Sequence, residues 1–296
     1  MSFGIRQQVA TINRLRLGQA VTGTLAVWII LLSGGGLFAL VASAAVRCSW
    51  DFYIVQVRYR ELFRSLRSHA YGETHILSHE IWPLGWRIAL QTIGSYFGGF
   101  YLTQVVHGLH VEGATGQWGM TWQVLSALQV AALSWVNTRS PEFTLLAAQG
   151  RHSEMRIRMW KTGWIALGVF GCGVVAFLAC LAGFHVLGIR AAGRFLDIPR
   201  AAEMAVGFAA MLITALFHYS VRYDKRDPFL IPHTLSSAAT AILAWWLGLH
   251  WGVSGVVAAY VTVAGLFTLP VAWGLAIAHA RSISRRIQET TPSSGE

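Results

Sequence analysis

Few side chains in this sequence can do chemistry, and most of those that can sit in or beside long apolar runs. Arg87 lies about one turn inside the run that begins at Leu84. A guanidinium there is costly unless it faces a cavity, finds a partner or snorkels to an interface. Its planar fork matches phosphate oxygens bidentately, so Arg87 reads either as an anion-binding residue or as a snorkelling one. Arg47 and Asp51 are four residues apart, which puts both on one helix face where they can neutralise each other. An internal ion pair and a proton-coupling carboxylate are the two readings of that pair. His218 stands one turn before Arg222, and His107 and His110 close another run. Histidine is the side chain whose charge changes near neutrality, so coupling is the sharper reading of His218 and a plain interfacial position the other. Gln91, Tyr96, Gln104, Trp122 and Gln123 give two consecutive spans polar and aromatic character. They either line a path for a polar solute or pack.

Catalysis has little to stand on. The sequence contains no HExxH, no GxSxG, no GxxxxGK[ST] and no paired carboxylates in an apolar setting. His75 and His79 have helical spacing beside Glu80, but in a polar connector, and read as solvated residues rather than a metal site. No metal, cofactor or enzymatic activity is expected. Cys48, Cys172 and Cys180 all lie in apolar sequence without CxxC or Cys/His spacing, and read as small packing residues. Cys172 and Cys180, about two helical turns apart, are too distant for a disulfide.

The elements that must position these residues are membrane helices. Of the 296 residues, 54% are hydrophobic and 12% charged, and several runs exceed the roughly 18 apolar residues that a bilayer span needs. The net charge of +10 gathers in short segments between the runs, which is how charge orients a membrane protein rather than how it binds nucleic acid. No nucleic-acid partner is expected. The 18 N-terminal residues carry Arg6, Arg14 and Arg16 without an apolar core of their own, and read as a cytoplasmic amphipathic lead-in, not a cleavable signal.

The pattern predicts an all-α, polytopic bundle of about eight transmembrane helices. Ser33-Gly34-Gly35-Gly36 divides an overlong apolar run into a hairpin, span one over Gln19 to Leu32 and span two over Leu37 to Val57. Residues 1–57 form this hairpin unit and 58–80 a polar cytoplasmic connector. A six-helix lobe over 81–280 follows, with spans near 84–107, 119–136, 164–185, 201–221, 229–249 and 253–278, and a cytoplasmic tail over 281–296. In the third of these, Gly168, Gly171, Gly173, Ala176 and Ala179 are small residues of the kind that let membrane helices approach closely. Of the 23 Lys and Arg residues, all but Arg47, Arg87, Arg190, Arg194 and Arg200 fall in segments on one side of this topology. The positive-inside tendency therefore places both termini in the cytoplasm. Trp82, Trp86, Trp118, Trp164 and Trp251 fall near span ends, where an interfacial belt would put them.

Ile81-Trp82-Pro83-Leu84-Gly85-Trp86-Arg87, the turn Gly116-Gln117-Trp118-Gly119-Met120-Thr121, and the run from Trp135 through Pro141 and Phe143 to Leu146-Ala147-Ala148 and Gly150 resemble the start of a known lobe. It is the C-terminal lobe of polysaccharide-type, O-antigen-like flippases of the multidrug/oligosaccharidyl-lipid/polysaccharide exporter superfamily. Tyr219 to Phe229 and Trp251-Gly252-Val253 with Gly255-Val256 extend the resemblance to nearly the whole chain. It implies the second of two pseudosymmetric lobes plus the last two helices of the first, in an integral protein of the bacterial inner membrane.

The function the resemblance implies is translocation of a lipid-linked oligosaccharide or polysaccharide precursor by alternating access. Arg87 would bind the pyrophosphate, Gln91, Tyr96 and Trp122 the saccharide, and Arg47, Asp51 and His218 would form an ion pair or take part in coupling. With one lobe complete, the partners expected are the lipid-linked saccharide, membrane lipids, and a second copy or second membrane subunit; a truncated product is the other expectation. The alternative function is a non-transporting membrane scaffold in a polysaccharide assembly system. A membrane-embedded glycosyl- or acyltransferase would need an acidic or histidine centre near an interface, which the sequence does not offer.

Overall fold

In a computed structural model, residues 2–36, 38–58, 60, 82–222 and 229–290 are described. Among them every regular element is helical, and the fold is an all-α bundle. Five stretches are long and apolar enough to cross a membrane: Arg14–Leu32, Phe38–Val57, His152–Val186, Ile198–Val221 and Leu230–Ser282. The chain divides into two compact units, Met1–Pro83 and Leu84–Glu296.

The described part of the first unit is a helical hairpin. α1 (Ser2–Leu32) runs without a break through the lead-in segment. It reverses at Gly34 and Gly36, whose φ values of 79° and 48° lie where a Cβ is penalised and glycine is not. α2 (Phe38–Tyr53) returns antiparallel and passes into a π-turn, Ile54–Arg58. The two helices meet where the Trp50 ring lies over Gly18, so close that a Cβ there would be 3.1 Å from it. Trp50 Nε1 donates to Thr22 Oγ1 at 2.9 Å.

The second unit contains α3 (Trp82–Gly108), of which all but the first two residues belong to it, then α4 (Ala114–Ala148) and α5 (His152–Val186). After a 3-10 turn, Arg190–Arg194, come α6 (Ile198–Arg222) and α7 (Leu230–Thr262). A π-turn, Val263–Thr268, leads into α8 (Leu269–Thr290). α4 continues about three turns past the apolar run that ends at Val136, through Pro141. Proline withholds the N–H that Asn137 O would have received, yet Thr138 and Thr144 fold their hydroxyls back onto Ser134 O and Ser140 O. The helix ends instead at Gly150, φ 73°, and α5 returns antiparallel, Arg158 bonding Glu142 across the gap.

Within α7, Gly252 has φ 63° and ψ −144°, a combination reserved for glycine. There the chain reverses: Gly255 lies on the Leu247 carbonyl, Gly248 on Val256, and Ser236 hydrogen-bonds Thr268. α7 is thus two antiparallel arms, near the limits predicted for spans seven and eight. The core between α3, α4, α5, α6 and α7 holds Leu102, Trp118, Leu125, Phe170, Met204 and Val256, each buried.

Several expectations are corrected. The three cysteines are exposed, not packed: the outer face of a membrane bundle is as apolar as its interior, so hydrophobic surroundings did not imply burial. Trp118 belongs to the core, with no exposed surface, rather than to an interfacial belt. Of the small residues singled out in α5, Gly168 and Gly171 have nothing within 4 Å of an added Cβ, whereas Gly173 receives Leu128. The tail predicted over 281–296 is helical as far as Thr290. Most of the 58–80 connector, with His75 and His79, lies outside the described residues, as do residues 223–228.

Candidate functional site

The second unit encloses a cavity of about 310 Å³ whose walls come from α3, α4, α6, both arms of α7 and the π-turn. Helical spacing explains the lining. Phe208, Met211, Thr214, Ala215 and His218 recur every three or four residues along α6, and His233, Ser236, Ser237 and Thr240 do the same on α7. Each set therefore forms one stripe. Trp122, Gln129 and Leu133 supply the α4 wall, and Gly99 belongs to the α3 wall.

One end is aromatic. Trp122 stacks on Trp118 at 5.9 Å and 20° and meets Phe208 and Tyr260 edge-on at 4.8 and 5.2 Å. The other end carries two imidazoles 6.4 Å apart, His218 and His233, with His218 lying against Phe229 at 4.0 Å. Hydroxyls lie between. Thr240 Oγ1 donates to Ser236 O at 2.8 Å, and Thr268 Oγ1 to Val263 O at 3.0 Å, the i−5 reach of a π-turn. Gln129 Nε2 donates to Phe208 O at 3.3 Å. Thr214, 2% exposed, lines the cavity while its hydroxyl has no hydrogen-bond partner among the described residues. A buried hydroxyl left unpaired costs about 1–3 kcal/mol, so a polar guest bonding it would recover that cost.

Among the described residues no acidic, Lys or Arg side chain lines this cavity, and no group of three His, Cys, Asp or Glu suited to a metal occurs. Neutral donors and acceptors beside stacked aromatic rings are chemistry for a polar, uncharged group such as a sugar ring.

The structure brings Trp122 and His218 together on this one cavity. The helical positions of Arg87, Gln91 and Tyr96 on α3 are described, but their side chains lie outside the described residues. Arg47 and Asp51, in the hairpin unit, are both exposed, and the contacts they make are with Gln19 rather than with each other. Gln19 on α1 reaches across instead, its Nε2 lying 3.4 Å from Asp51 Oδ1 and 3.3 Å from Arg47 O; the neighbouring helix outcompetes the same-face partner. His107 and His110 are exposed at the end of α3, His110 with φ 54°. Thr214, His233, Ser236 and Thr268 were not singled out from the sequence. The signal that could have found them is the polar set at 233, 236, 237 and 240, whose i, i+3, i+4, i+7 spacing marks one face.

Compared with protein-family models, with curated proteins and with solved structures, the chain matches none.

Proposed function

We propose that the chain takes part in moving a lipid-linked saccharide across the bacterial inner membrane by alternating access, with both termini cytoplasmic and without a catalytic step of its own. The observation that carries this reading is the cavity holding Trp122 and His218 together inside a bundle of membrane-length helices. Its hydroxyls and aromatic rings suit sugar, and the sequence resemblance points the same way. At about 310 Å³ it is at the small end of ligand sites and accommodates part of a saccharide. A second copy or second membrane subunit would supply the facing wall, and Arg87 the pyrophosphate contact.

The test is reconstitution of the full chain into vesicles loaded with a fluorescent polyprenyl-pyrophosphate saccharide, reading the fraction accessible to an external quencher over time. Flipping above that of protein-free vesicles is expected, with Trp122→Ala and Arg87→Ala each lowering it about tenfold or more, on the scale of one lost charged or stacked contact. Unchanged flipping in Arg87→Ala and Arg87→Lys would remove the pyrophosphate contact. The sparse burial of the hairpin spans, 6% in each, favours a second reading, a non-transporting scaffold whose apolar faces hold other membrane proteins. Absence of flipping, together with stable co-purification of polysaccharide-assembly proteins, would select it.

A further inference from the structure

A second cavity, of about 280 Å³, lies between the start of α5, the end of α6 and α8. Its floor is aromatic and aliphatic: Trp160 meets Phe217 edge-on at 5.6 Å and 77°, and both pack with Ala272 and Leu275 of α8. The antiparallel register that sets Glu142 against Arg158 and Leu128 against Gly173 also brings Trp135 level with Trp164. Trp135, Trp160 and Trp164 therefore occupy one layer of the bundle, as an interfacial belt does, and Trp273 lines the same cavity as Trp160. Arg139, Arg151, Arg156 and Arg281 lie on the far side of that layer from the apolar spans.

The cations at this end differ in how they are satisfied. Arg158 bonds Glu154 at 2.6 Å and also Glu142, and Arg151 pairs with Glu154. Arg156 lines the cavity with no carboxylate within 4 Å among the described residues. Two imidazoles, His152 and His279, share the wall with it. On the lipid side, Trp273 and Ile277 are 58% and 37% exposed.

We propose that this cavity binds the phosphate of an anionic phospholipid, its headgroup held by Arg156 and its acyl chains lying over Trp273 and Ile277. A guanidinium with no carboxylate within 4 Å among the described residues, one helical turn from Trp160 and next to an apolar exit, suits a phosphodiester that carries hydrocarbon. A soluble phosphate has no use for the Met159, Phe217 and Trp273 surface that makes up much of the wall. The site is separate from the cavity holding Trp122 and His218 and needs only that the bundle spans a membrane, so it stands or falls independently of transport.

The experiment is native mass spectrometry of the full chain released from nanodiscs of mixed dioleoyl-phosphatidylglycerol and dioleoyl-phosphatidylcholine. One phosphatidylglycerol is expected to be retained in preference to phosphatidylcholine. Arg156→Glu lowers that retention about five- to tenfold, the effect of one interfacial cation converted to affinity. Arg190→Glu, in the 3-10 turn at the opposite end, leaves it unchanged. Equal loss in both variants would reduce the effect to the overall charge of the chain and overturn the site, as would no preference for the anionic lipid. Competition by glycerol phosphate as strong as by the lipid would overturn the membrane source. Should Arg156→Glu fail to fold, a photoactivatable phosphatidylglycerol on the wild type decides: adducts within residues 152–160 and 273–280 support the site, and adducts elsewhere overturn it.

Discussion

In the N-terminal hairpin 6% of the residues in either span are buried, whereas in α6 the share is 50%. Both are built from sequence of similar apolar character, so hydrophobicity does not distinguish them; neighbours do. The hairpin is held by a turn and by a few polar contacts at one end, Gln19 to Asp51 and Trp50 to Thr22, and it leaves Leu25, Trp28, Ile29 and Phe38 facing outward. The six-helix unit interdigitates instead, with Trp118, Leu125, Phe143 and Leu212 without appreciable exposure. In a bilayer, lipid contacts an apolar face as well as a helix does, and close packing is what separates a core from an exterior. The hairpin is a surface awaiting lipid or protein, and the larger unit carries its own interior.

That contrast can be broken or sharpened by substitution, each effect read as thermal unfolding of the detergent-solubilised chain unless noted. Trp118→Ala removes a fully buried ring and is expected to cost about 3–5 kcal/mol, while Trp28→Ala, 60% exposed on the hairpin, should cost less than about 0.5 kcal/mol. Equal losses would abolish the distinction between the two units. Gly255→Val drives a Cβ into the Leu247 carbonyl, where backbone cannot yield, and should destabilise the second unit by about 1–3 kcal/mol; a neutral result would mean that the two arms of α7 need not touch. Gly34→Ala forces a Cβ onto φ 79°, costing about 1–2 kcal/mol and raising the rate of proteolytic cleavage at the turn. Smallest is Trp50→Phe, which deletes the bond to Thr22. A double-mutant cycle with Thr22→Val should return about 0.6 kcal/mol, and zero coupling would leave the hairpin to the turn, the ring packing and the contacts of Gln19.

The parts of this architecture written in local chemistry could be read from the sequence. Consecutive glycines at 34–36 and the glycine at 252 leave the chain little choice but to reverse, and both reversals are where the pattern placed them. What depends on which way a helix faces was not legible, because helices that are apolar all round carry no periodic signal to orient them. Hence Cys172 and Cys180 face outward, Trp118 turns inward, and Gly173 meets Leu128 while Gly171 meets nothing. The Arg47 and Asp51 spacing was read correctly as one face, but Gln19, distant in sequence, decided the contact. Trp122 and His218 were each singled out for separate reasons; their meeting on one cavity depends on α4 and α6 running side by side, as the bond from Tyr219 to Asn137 also shows.

The π-turn at Val263–Thr268 sets the phase of everything after it. An α-helix advances about 100° per residue, and a π-turn is a helix holding one surplus residue. The turn absorbs that residue, so deleting it would restore plain α geometry and leave α8 close to its present phase, whereas deleting one residue just after Thr268 would rotate α8 by about 100°. Trp273 and His279 would then swing away from α5, so the helix that closes one cavity through Thr268 is also the dial that opens or shuts the other.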